Sequence, residues 1–454
     1  MRRFPYIAQK LADGAAGLSL ETVPAPVVDS AKRCIVDVVG VALAGSLSKS
    51  AHLTRAQAVE TYASGPCDLL GSDDRLSAAG ATFVNAVAAH ALDFDDNCYA
   101  GIVHGSAVVF PAVFAAAQWR NASGAELLAG FIAGLEVEFA LGKALTHQFY
   151  EKGWWTTSAL GAIGAASGAA RVAGLNAQAT ERAIALAAVG TGGIRALRGT
   201  DAKPYHCGRA AESGVTAAQL AARGASAPTD VFEDKNGFLK VLNDSNLDIA
   251  PIDRFGTSHG LRDPGVDIKR FPVCYAGHAA AEATGDLLKA NGLTFEKVER
   301  IVVQVPPLVA SNLTYPRPRS GIEAQFSLEF AVAAVAVFGE ISLDHLAENV
   351  ICDPQLQAML EKVEMQVVET VDALSEVKPV GPEWANVQIT TTTGATLVGF
   401  NGTAIGSAAR PLSKSDLDTK FLNCATRAID ARKAEAWLSA LYRIEALEGV
   451  RNIV

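Results

Sequence analysis

The sequence predicts a mostly α-helical protein with one α+β portion, and three observations carry that prediction. Apolar residues recur at helical spacing through roughly the first 265 of the 454 positions. Strand-like runs rich in β-branched residues appear only after Pro264, and a helical pattern returns from Ser413 onward. Half of the residues are hydrophobic and only 19% are charged, enough apolar material for a large core.

In chain order, Pro26 to Gly45 is the first clear helix, with Val28, Ala31, Ile35, Val38, Val39 and Ala42 on one face and Asp29, Lys32 and Arg33 off it. Similar patterns predict helices over Ala79 to Ala91, Ser106 to Gln118, Ala125 to Thr146 and Ala177 to Ala188. Their faces use Ala and Gly as freely as Leu or Val, which permits close helix contact. From Gly208 to Arg223 the stripe is Ala211, Gly214, Ala218 and Ala221, and Gly224 is a stop signal. Strands are predicted at Arg300 to Val305, Val363 to Thr370 and Val387 to Thr392, the last turning through Thr393-Gly394 into Ala395 to Phe400 as a hairpin. Helices at Ala276 to Asn291 and Glu323 to Phe338 accompany them.

Composition narrows the function classes. The 39 Lys and Arg against 48 Asp and Glu give a net charge of −9 without a long basic run, which argues against nucleic acid as partner. The most apolar stretches, such as Leu328 to Phe338, fall well short of the ~20 residues that cross a bilayer, and the start lacks the apolar stretch of a secretory leader, so no membrane association is expected. The seven cysteines include no C-x-x-C pair, which supports neither a disulfide framework nor a zinc ribbon and makes a reducing cytoplasm the expected setting. No P-loop, H-E-x-x-H or strand-borne G-x-G-x-x-G is present.

Three clusters can carry chemistry. His90-Ala-Leu-Asp93-Phe-Asp95-Asp96, followed by His104-Gly105-Ser106, gathers three carboxylates and two imidazoles. It reads either as a proton-transfer site or as a solvated acidic helix end, and D-x-D-D lacks a calcium-loop pattern. Lys203-Pro-Tyr-His206-Cys-Gly-Arg209 places cations before a helix, where the dipole favours anions, so a carboxylate ligand shared with the free N–H groups is one reading and an exposed basic loop the other. A partly desolvated Lys203 has a lowered pKa and can serve as base or acid. Lys269-Arg-Phe-Pro-Val-Cys-Tyr-Ala-Gly-His278 lies where the texture changes, and clefts between domains are preferred ligand sites. Taken alone, His278 on its Ala-rich helix reads as a satisfied core histidine.

In this order and spacing, these segments resemble the MmgE/PrpD (2-methylcitrate dehydratase) family, which includes cis-aconitate decarboxylases and iminodisuccinate epimerase. Asp37-Val-Val-Gly40, Glu323-Ala-Gln-Phe-Ser-Leu328 and Pro411 to Phe421 extend the resemblance over nearly the whole chain. It implies a large all-helical domain formed by both chain ends, residues 1–265 and 405–454, with a smaller α+β lid domain at 266–404. It also implies a homodimer with its site between the domains, and a lyase acting on small polycarboxylates without cofactor or metal. By the same resemblance, Asp93, His104, Lys203 and His278 stand at acid–base positions and Tyr315 near a further pocket position. His206, Arg209, Lys269 and Trp155 complete the expected substrate-binding set. In the expected arrangement Lys203 and His206 hold a carboxylate, Lys203 or His104 is the base, His278 donates a proton and Asp93 orients His104. Where lyase members read G-F-H-P-T, this chain reads Gly153-Trp-Trp155-Thr-Thr157, so Trp155 replaces a histidine and gives weight to an epimerase or isomerase as the alternative activity. A non-catalytic helical binding protein is the remaining alternative.

Overall fold

The computed structural model describes residues 7–371 and 381–451; the basic start read for a leader, residues 1–6, lies outside them. Helix accounts for 58% and strand for 9%, so the protein is mostly α with a small α+β portion. Two large apolar cores organise it. One draws on residues between Ile7 and Ile268 and again between Leu412 and Val450, and the other on residues between Phe271 and Ile389.

The larger core is built around the helix Thr156–Val172, which is buried along almost its whole length. Its small residues allow backbones to meet: a Cβ on Gly164 would stand 2.8 Å from the Gly134 carbonyl, and one on Gly168 would stand 2.7 Å from the Gly130 carbonyl. Both partners lie on Gly124–Glu151. The helices Gly105–Arg120 and Ala202–Ala222 pack against the same centre, with Gly214 of the latter seated against Ala162 and Ala165. This region is not purely helical, because Ser64–Asp68 pairs with Arg75–Leu76 as a small ribbon. Ser-Gly-Pro-Cys-Asp offers no β-branched alternation that would have announced it.

In the smaller core, Val298–Val305 is the hub of a four-stranded sheet, parallel to Val363–Val367 and antiparallel to Ala385–Thr391. The predicted hairpin forms, Ala385–Thr391 pairing with Thr396–Asn401. Ile301, Val303 and Val305 lie buried on one face of this sheet, within the same core as residues of the helices His278–Ala290 and Leu328–Phe338. The helix read as continuous over Glu323 to Phe338 is broken: Ser327 caps Leu328–Phe338, and Gln325 and Phe326 sit in the break.

The helix Lys414–Ala425 returns to the larger core, where Phe421 lies against Gly40 of Ala25–Gly45. Buried Lys420 pairs with Asp37 at 2.6 Å and donates to the Phe94 carbonyl at 2.8 Å. Thus a residue far along the chain pins the loop that carries the acidic cluster.

Candidate active site

Between the helices Ala78–His90 and Gly105–Arg120 the chain runs through a loop whose acids are all buried. Asp93 takes φ = 47°, a left-handed conformation that aspartate tolerates better than most residues. Its carboxylate accepts from two lysines. Lys203 Nζ bonds Oδ1, and Lys269 Nζ lies 3.0 Å from Oδ2 and 2.7 Å from the Asp93 carbonyl. Burial pushes the Asp93 carboxyl up, but Lys203 and Lys269 override it and hold the group well below the usual carboxylate range. Burial alone would lower Lys269, yet Asp93 and Asp95 raise it, so it stays a cation.

Two residues on, Asp95 accepts from His90 Nδ1 at 2.6 Å and lies 3.7 Å from His104 Nδ1. His104 Nδ1 donates instead to the Asp96 carbonyl at 2.7 Å, which leaves Nε2 as the acceptor of a neutral ring. Burial, reinforced by the nearby lysines, pulls His104 down to about 3 against the opposing pull of Asp95. Burial likewise lowers His90. Asp96 serves a third purpose: its carboxylate accepts from the Ser106 hydroxyl and, at 3.3 Å, from the Ser106 N–H in the first turn of Gly105–Arg120. Burial with Asp37 and Asp95 nearby raises it to about 7.

A narrow cleft of about 10 Å³, room for about one water molecule, opens over Asp93. Ser50, His90, Asp93, Thr200 and Lys203 line it from the larger core; Ile322, Gln325 and Phe326 face them from the other side. Lys203 Nζ lies 5.1 Å above the Phe326 ring, a cation–π contact across the boundary. Tyr150 and Asn312 close another part of the same boundary through a 2.9 Å hydrogen bond.

Several expectations need correction. Asp93 does not orient His104; it is committed to the two lysines, and Asp95 and the Asp96 carbonyl face the His104 ring. Lys203 lies inside the first turn of Ala202–Ala222 rather than ahead of the helix, and its ammonium is paired with Asp93. Arg209 is exposed on another face of that helix, bonded to Glu212 and, at 3.3 Å, to the Tyr62 hydroxyl. It lines an open groove of about 520 Å³ instead of the cleft. His206, half-buried, lies edge-on to exposed Tyr205, and neither His206 nor Arg209 lines the cleft. His278 is buried, donates Nε2–H to the Val273 carbonyl at 3.3 Å, and keeps Nδ1 without a partner among the described residues. Burial and Lys269 lower it to about 3, so it offers an acceptor and must take up a proton before donating one.

Tyr315 reaches from the smaller core to the Arg198 carbonyl at 3.4 Å and packs over Gly199, whose φ of 68° and missing side chain make room for the ring. Trp155 is buried at the head of Thr156–Val172, its ring 5.4 Å from that of His90. Sequence reasoning counted His90 and Asp95 in the acidic cluster without giving either a role, and it did not select Gln325 or Phe326. The helix-end position of His90 and the helix-break positions of Gln325 and Phe326 are the signals that could have found them.

His90, Asp95 and His104 also present donor atoms within 4.8 Å of one another. The 2.6 Å between His90 Nδ1 and Asp95 is a hydrogen bond, whereas donors placed tetrahedrally about 2.0–2.1 Å from zinc stand roughly 3.3 Å apart. The arrangement suits proton sharing better than metal ligation.

Comparison with known proteins agrees with this architecture. Residues 9–249 match the MmgE/PrpD N-terminal domain and residues 271–443 match the MmgE/PrpD C-terminal domain. The cis-aconitate decarboxylase of Homo sapiens is 28% identical over 454 aligned residues, spanning 97% of this chain and 92% of the human protein. That of Mus musculus is 28% identical, spanning 97% and 91%, and that of Aspergillus terreus (strain NIH 2624 / FGSC A1156) is 24% identical, spanning 75% and 74%. With both of its domains matched in sequence order, the chain belongs to the MmgE/PrpD family.

Proposed function

We propose that this protein is a lyase acting on a small polycarboxylate, of which cis-aconitate is the first to test, and that it works by moving a proton at a carbon beside a carboxylate using its own side chains. Two buried ammonium groups converging on one carboxylate carry this reading. Adding charge next to a carboxylate creates an unstable polyanion in water, and fixed cations in a dry cleft are the means of stabilising it. Lys203 and Lys269 retain N–H donors beyond those given to Asp93. His104 and His278, both neutral, take up or return the proton. The activity named for the human, mouse and fungal relatives supports a decarboxylation. Trp155 favours a second reading, epimerisation or isomerisation, because an indole against His90 cannot supply a second acid to a leaving group.

Incubation with cis-aconitate, citrate-like and aspartate-like acids in D2O, followed by proton NMR, tests both. Release of CO2 with deuterium in the product supports the lyase. Exchange without net loss of substrate supports the second reading, and no exchange with any acid overturns both.

A further inference from the structure

The His90–Asp95 pair has no part in the mechanism above, yet His90 lines the same cleft. Its ring is wholly buried, Nδ1 is tied to Asp95 at 2.6 Å, and Nε2 has no partner among the described residues. A buried imidazole nitrogen left unpaired loses a hydrogen bond that water would give it, a cost a structural histidine ordinarily avoids. Trp155 packs against one side at 5.4 Å and His104 against another at 4.8 Å, both rings tilted, so the ring is held rather than free to turn. The charged groups acting on it are Asp95 and Asp93, which favour its protonation, and Lys203, which opposes it.

We infer that His90 is a catalytic residue: it hands the proton from Nε2 to the substrate carbon, with Asp95 fixing the tautomer and stabilising the imidazolium. This rests on the lyase reading. When a polycarboxylate enters, its negative charge draws a proton onto His90. In a decarboxylation of an unsaturated acid, the carbon–carboxylate bond then breaks, its electron pair forms the new double bond, and the former π pair takes the proton from Nε2. CO2 leaves, His90 returns neutral, and one proton per turnover comes from water. His104, whose side chain is 16% exposed, connects the buried ring to solvent.

The test uses the full-length protein and cis-aconitate. His90→Gln is expected to lower kcat by about 10²–10⁴-fold with KM changed less than threefold, the loss typical of a general acid. A kcat within tenfold of wild type overturns the assignment. Should that buried substitution prevent folding, Asp95→Asn decides: losing the carboxylate makes imidazolium harder to form, so the high-pH limb of kcat must move to lower pH, and an unmoved limb overturns the pair's role. Nitrogen NMR of histidine-labelled wild type with tricarballylate, a saturated tricarboxylate, gives a readout independent of turnover. His90 Nε2 should be unprotonated alone and protonated when the acid is bound. No change on saturation overturns the inference even if the lyase reading stands, whereas protonation in a protein inactive on every acid overturns the lyase reading and keeps the proton-accepting pair.

Discussion

Asp93 and Asp95 lie two residues apart in one buried loop and have opposite surroundings. Asp93 is gripped by two lysines and Asp95 faces two imidazoles. The first arrangement is fixed charge, suited to holding an anion. The second can change its charge by one proton at little structural cost, suited to transferring that proton. The difference teaches that charge count alone, three acids in four residues, says little; partner chemistry assigns each acid its task.

The strongest way to break the comparison is Asp93→Asn. It leaves two buried ammoniums without a counter-charge, and removing one partner of a buried pair costs about 3–5 kcal/mol. Chemical denaturation at pH 7 should show a loss of that size, and unchanged stability would mean the lysine side is not held as described. His104→Ala comes next, with an expected loss of turnover of about 10²–10⁴-fold and a nearly unchanged thermal midpoint. A variant retaining more than a tenth of wild-type kcat would place proton transfer elsewhere.

Trp155→His should reduce turnover of the native substrate by about tenfold, since it removes the ring that confines His90, and the panel of acids should then be rescanned for dehydration. A more active variant would show that the indole is no support to His90. Asp96 gives a smaller, pH-dependent effect. Its folded pKa of about 7 lies above the ordinary aspartate value, so its contribution to stability is full below about pH 4 and is lost as pH rises to about 7. Asp96→Asn should flatten that fall in the denaturation midpoint, and an identical slope would assign it to other groups. The smallest effect is expected from Arg209→Ala, less than threefold in kcat/KM, because the side chain lies in the outer groove. A tenfold loss would return Arg209 to the substrate-binding set.

Legibility followed physics at each position. Gly208 to Arg223 showed an apolar face because it has a solvent side, and Pro26 to Gly45 because its first turns do before the helix is fully buried from Cys34 on, whereas Thr156–Val172 is buried all round and carries no period to read. Lys203 was found through its motif, but the same motif suggested Arg209, which at ~100° per residue sits about 240° further around the helix. Asp93 was recognisable as an acid of interest; its partner was not, since Lys203 and Lys269 lie 110 and 176 residues away and only folding brings them near. Trp155 was noticed for what it replaces, while His90, the histidine beside it, was counted among the imidazoles of the acidic cluster but given no role of its own.

The hydrogen bond from Lys420 to the Phe94 carbonyl also sets a schedule. The two residues are 326 positions apart, and a ribosome adding about 5–20 residues per second needs roughly 16–65 s to cover that distance. For all of that time the nascent chain carries Asp93, Asp95 and His104 without the anchor that fixes their loop. Newborn protein therefore passes through a long stage in which most of the helical body can form while the loop stays unset, and catalytic competence arrives late in synthesis.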